Sequence, residues 1–173
     1  LYLDETRHPD ERTLRGHELA TRLSYFLWSS MPDEELLRYA ADESLLQPKV
    51  LNQQVERMLE DPRSEQFTEN FIGQWLRLRE INETTPDRKL YNEYDELLQH
   101  SLILESELFF RHLLDENLSV ANCLDSDFAF LNERSARHYG IDGVDGARLR
   151  KVALPPESVR GGVLTQGAVL KVT

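Results

Sequence analysis

The 173-residue sequence has one cysteine, Cys123. No disulfide can close within it, and neither a CxxC metal or redox motif nor a CxxCH haem attachment motif is present. A lone thiol of this kind reads as a small buried hydrophobe and not as a nucleophile. No apolar run approaches the roughly 18 residues that a membrane-crossing helix needs. GxSxG, GxGxxG and a phosphate-cradling glycine loop are all missing, which removes the best-marked hydrolase and nucleotide-binding motifs. The histidines, His8, His17, His100, His112 and His138, form neither HExxH nor HxxxH, so one helix cannot supply a zinc pair. Basic residues are scarce over most of the chain. Residues 1–133 hold 28 acids against 13 lysines and arginines, a net charge of −15, whereas residues 134–173 hold 3 against 7, a net +4. An acidic body repels phosphates and anionic lipid, so neither nucleic acid nor membrane insertion is expected.

What the chain does have is helical periodicity. Residues 1–15 are mostly charged and read as an entry segment. From Gly16, apolar residues return at three and four: Leu19, Leu23, Phe26, Leu27. In Ser29-Ser30-Met31-Pro32-Asp33-Glu34-Glu35, Ser30 is expected to cap the next helix. Asp33 would close a capping box, with Pro32 in the first turn and the acids at the positive end of the dipole. Gln47-Pro48 starts a helix through Leu59, and Asp61-Pro62 ends it and opens another carrying Phe67, Phe71, Ile72, Trp75 and Leu76. Gly73 inside that helix marks a close approach. The longest helix is expected over residues 92–117, with one stripe through Leu97, Leu98, Leu102, Phe109 and Leu113 and a second through Ile103, Phe110 and Leu114. Such a helix is central and packed on both sides. A short helix around residues 120–124, a turn at Asp125-Ser126-Asp127 and a helix over residues 131–139 stopped by Gly140 complete the pattern. Residues 141–162 read as loop, and the apolar run 163–173 ends abruptly. The expected fold is all-α: a single-domain bundle of about six helices around a long central one, spanning residues 16–156, with an irregular C-terminal extension.

Two clusters carry candidate chemistry. Glu105 and His112 both project within the apolar stripe of the long helix, about 10 Å apart at 1.5 Å per residue. A carboxylate buried there needs a partner or a proton; Arg79, His138 and Trp75 are available. The pair reads either as a core acid or metal pair, with Glu107 as a further acid, or as a satisfied structural network, which is the reading we favour. Asp125 and Asp127, with Asn132 and Glu133, are candidate metal ligands by oxygen density. They lack the glycine and distal glutamate of a helix-loop-helix calcium loop, and turn and cap formation explains each one separately. No cofactor is expected in the chain itself. Tyr25, Trp28 and Trp75 suggest a glycan or small-molecule surface if they are exposed.

Several longer stretches carry a resemblance. Glu18–Leu36, Arg57–Arg63, Asn70-Phe71 with Gln74-Trp75-Leu76, Glu105 with Glu107–Phe110, and Phe130–Arg134 with Arg137–Gly140 together resemble a planctomycete-specific domain family of unknown function over about residues 16–141. The resemblance implies a place in large exported proteins that also carry cytochrome-c-like haem domains and sibling domains. Haem c would then sit elsewhere in the parent protein, in the periplasm or cell envelope. Leu1-Tyr2-Leu3 resembles the close of a preceding sibling domain, and Arg160–Gly167 the opening of a following one, so residues 157–173 are read as its truncated start. The family implies no activity and no catalytic residues. The expected role is a non-catalytic structural or docking module whose partners are the flanking domains of the same polypeptide. An enzyme subdomain lending acids to a site completed elsewhere, and a ligand-binding helical domain, are the alternatives.

Overall fold

A computed structural model describes residues 14–83, 85–87 and 89–173. The entry segment through residue 13, and His8 with it, lies outside the described residues. Among those described there are seven α-helices and one two-stranded sheet, an all-α architecture. No helix among them is long and apolar enough to cross a membrane. The chain divides into two compact units, one running to Phe67 and the other Thr68–Thr173.

The first unit is built from α1 (Gly16–Trp28), α2 (Glu34–Ala41) and α3 (Pro48–Glu60). Its core is Ala20, Leu27, Trp28, Leu36, Ala40, Leu45 and Met58. Gly16 begins α1 directly against the Ala40 carbonyl, where a Cβ has no room. Ser29 adopts a left-handed conformation (φ 53°) that ends α1. The cap of α2 is not Ser30 but Asp33, whose carboxylate accepts from the Leu36 N–H at 2.9 Å. Pro32 therefore precedes the cap instead of lying in the first turn. The choice is made by a distant residue: Arg57 on α3 grips the same carboxylate with two bonds of 2.8 and 3.2 Å. Burial alone would raise the pKa of Asp33; the Arg57 and Leu36 hydrogen bonds and the charges of Arg57 and Arg63 outweigh it and hold the pKa low. Arg63 also sits over the Trp28 ring, 3.5 Å from its centroid, and the Trp28 indole N–H donates to the Met58 carbonyl at 2.9 Å. Trp28 is thus a core residue, only 2% exposed, and no ligand surface.

The second unit begins within α4 (Glu65–Trp75) and is organised on α5 (Glu96–Asp115). Asp95 caps α5 by accepting from Leu98 N–H at 2.7 Å, which fixes its start four residues later than expected. Its buried face is Leu98, Ser101, Leu102, Glu105, Ser106, Phe109 and Leu113. Leu97 lies off that face, 57% exposed, while Ile103 and Phe110 of the second stripe are partly buried. Ile72, Leu76, Leu78, Ile81 and Phe128 complete the core on α5.

A two-stranded sheet takes up Leu131, the expected start of the helix through residue 139, and part of the expected 141–162 loop. β1 (Phe128–Leu131) pairs antiparallel with β2 (Arg150–Ala153), Phe128 opposite Ala153 and Leu131 opposite Arg150. Between them α6 (Glu133–Tyr139) is capped by Asn132, whose side chain accepts from Ser135 N–H at 2.9 Å, and is stopped by Gly140 at φ 68°. The apolar run at the end is also folded. A 3-10 turn, Val163–Thr165, leads into α7 (Gly167–Val172), and Val163, Ala168 and Val169 are buried in the same core as Phe109 and Leu102.

Candidate functional site

The middle of α5 carries a polar node inside this core. Glu105 faces inward with its apolar neighbours because it lies between Leu102 and Phe109 on the helical repeat, and it is 2% exposed. The Tyr139 hydroxyl, on the last residue of α6, donates to Glu105 Oε2 at 2.5 Å. That hydroxyl in turn accepts from the N–H of Gly167, the first residue of α7, at 2.8 Å. A Cβ at Gly167 would stand 2.9 Å from both the Tyr139 hydroxyl and a Leu102 methyl, so glycine is what lets α7 approach. One residue on from Glu105, Ser106 Oγ donates to Gln166 Oε1 at 2.6 Å. Glu105, Tyr139 and the α7 start form a chain of bonds linking three helices that are far apart in sequence.

Charge is arranged around this node. Arg160 lies over the Tyr139 ring, 4.3 Å from its centroid, and its Nη1 donates to the Thr165 carbonyl at 2.5 Å. Burial pushes the Glu105 carboxyl up to about 8, against the downward pull of the Tyr139 hydrogen bond and the Arg160 charge. Burial, and then the charge of Glu105, raise Tyr139 well above an ordinary phenol. The free space against Glu105 is about 10 Å³, bordered by Phe109, Phe128 and Thr165. That volume is one water's worth, and no organic substrate fits there.

The other candidate residues fall elsewhere. His112 is edge-on to Phe128 and Phe130, 5.3 and 5.5 Å between centroids, with Lys151 Nζ 2.9 Å from its Nε2. Glu107 is half buried, and burial and the charge of Glu69 raise its carboxyl. Glu105 and His112 share a helix face but no partner. None of the three expected partners of Glu105 serves it: Arg79 donates to Asn70, His138 lies 3.6 Å from Glu93, and Trp75 packs on Phe71 and Phe110. Tyr139 is the residue that sequence reasoning missed; the pattern marks it only as the end of a helix before Gly140. Asp125 and Asp127 are exposed on an open groove of about 400 Å³ that Asn122, Ser126 and Arg160 also line. Among the described residues no three of His, Cys, Asp and Glu gather as a metal site would require. His17 and His100 are exposed singly. Tyr25 and Trp75 are exposed, 39% and 49%.

A family model described as PSD4, protein of unknown function (DUF1592), matches residues 14–141. No curated protein and no solved structure matches.

Proposed function

Because the chain belongs to the PSD4 family of unknown function (DUF1592), whose description brings no chemistry with it, we propose from the geometry that it is a non-catalytic structural or docking module. The observation that carries this reading is the state of Glu105. An acid that is 2% exposed, bonded to Tyr139 and faced by about 10 Å³ of space holds helices together and meets no substrate. The role extends to a larger polypeptide: the module positions flanking domains of the same chain, among them haem-carrying ones, in a planctomycete cell-envelope protein. Haem belongs to those domains, since this chain lacks the attachment motif. The enzyme-subdomain reading is disfavoured because Glu105, Glu107 and His112 have separate surroundings.

The test is a parent protein carrying Glu105→Gln, compared with wild type for turnover in a broad activity screen and for co-purification of its domains after limited proteolysis. The module reading expects unchanged turnover wherever the variant is folded, and domains that stay together through this chain. Turnover lost while the melting midpoint holds would contradict it.

A further inference from the structure

A second cavity in the Thr68–Thr173 unit has the opposite character to the Glu105 gap. It is an open cleft of about 540 Å³, within the range of small-molecule sites. One part of its lining is aromatic and apolar: Tyr91, Tyr94 and Leu170. The other part is cationic: Arg160 and Lys171, with His138 beside them. Among the described residues no aspartate or glutamate lines it, although the whole chain carries a net charge of −11. Of the acids near its cationic residues, Glu93 lies 3.6 Å from His138, Glu105 accepts from the Tyr139 hydroxyl, and Asp125 and Asp127 stand with Arg160 on the separate open groove.

Arg160 is the informative residue. It is partly buried, and among the described residues it forms no ion pair with a carboxylate; its side chain meets the Thr165 carbonyl and the Tyr139 ring. A guanidinium has five N–H donors, so these two contacts leave capacity for an anion. Burial raises the Glu105 carboxyl and so favours its neutral form near Arg160. Lys171 donates to the Ile81 carbonyl and stands over Tyr94, 5.5 Å from the ring centroid, and burial lowers its pKa. A cation held in partly dry surroundings gains most from an anionic ligand.

We propose that this cleft binds a small organic anion, a planar ring against Tyr91 and Tyr94 with its carboxylate or similar group between Arg160 and Lys171. This goes beyond the structural reading and does not depend on it.

The probe is 2-naphthoate, titrated into the intact chain by calorimetry and by ¹H–¹⁵N NMR, with uncharged 2-naphthamide and inorganic phosphate as comparisons. Saturable one-to-one binding is expected, with shifts at the Tyr94, Leu170 and Lys171 amides. Naphthamide and phosphate should each bind at least about tenfold more weakly, as should 2-naphthoate to Arg160→Gln and Lys171→Gln. Lys171→Gln keeps a donor for the Ile81 carbonyl and decides the matter if Arg160→Gln fails to fold. The proposal is overturned by no saturation up to about 10 mM. It is equally overturned by equal affinity for naphthamide or phosphate, by undiminished binding to Lys171→Gln, or by shifts confined to the Asp125 groove.

Discussion

Replacing Glu105 with glutamine isolates the electrostatics of the core node. Glutamine has nearly the same shape and keeps an oxygen to accept the Tyr139 hydroxyl, but it cannot titrate. In the wild-type protein the carboxyl is raised from 4.5 to about 8 by burial. A raised acid is neutral in both states below 4.5, so its favourable contribution is complete there. Between 4.5 and about 8 the unfolded chain releases the proton while the folded one keeps it, and stability falls as pH rises. One proton taken up on folding corresponds to about 1.4 kcal/mol per pH unit. Between about pH 5.5 and 7.5, Glu105→Gln should therefore gain about 3 kcal/mol on the wild type. Any fixed cost of the amide shifts both pH values equally and leaves this difference intact. His138, whose pKa burial lowers from 6.5, acts in the opposite direction: its contribution is lost as pH falls below 6.5. It is present in both proteins and cancels. The assay is urea unfolding at the two pH values. A variant-minus-wild-type difference that does not change with pH would refute the reasoning, because it would mean that Glu105 is ionised in the folded protein.

Other substitutions test the surrounding contacts. Tyr139→Phe leaves the Gly167 N–H and Glu105 without their shared hydroxyl and should cost about 1–3 kcal/mol in urea unfolding; no loss would mean that the node is not structural. Gly162 has φ 69°, and a Cβ there would lie 2.5 Å from the Cys123 carbonyl oxygen, so Gly162→Ala should cost at least about 1 kcal/mol in the same experiment. In the first unit, Asp33→Ala removes both the α2 cap and the Arg57 partner and should lower stability by about 1–2 kcal/mol. Ser30→Ala, at a buried hydroxyl with no partner among the described residues, should be neutral or mildly stabilising by calorimetric melting.

The helices were legible where local chemistry suffices. Gln47-Pro48 and Gly140 mark real ends, and the three-four repeat locates α1, α3, α4 and α5. What escaped was decided at a distance. Ser30 and Asp33 are both good caps, and Arg57, 24 residues away, selects the aspartate. β1 and β2 have four residues each and are separated by a helix, so no hairpin turn or long alternation announces them. α7 has six residues and no side-chain cap, and its burial depends on Gly167 fitting against Leu102. The same division holds for the node. The burial of Glu105 followed from its place on the stripe, but its partner lies 34 residues away on another helix and no spacing rule points to it. The cleft was invisible for the same reason, since Tyr94, Arg160 and Lys171 meet only in the folded chain.

The structural role of the node rests on Glu105 being a buried acid kept neutral by its surroundings. A ¹³C NMR titration of its side-chain carboxyl, assigned by comparison with Glu105→Gln, measures this directly. A midpoint near 8, moved up from 4.5, is the expected result; a midpoint at or below 4.5, the value of an acid in water or in an ion pair, would contradict it.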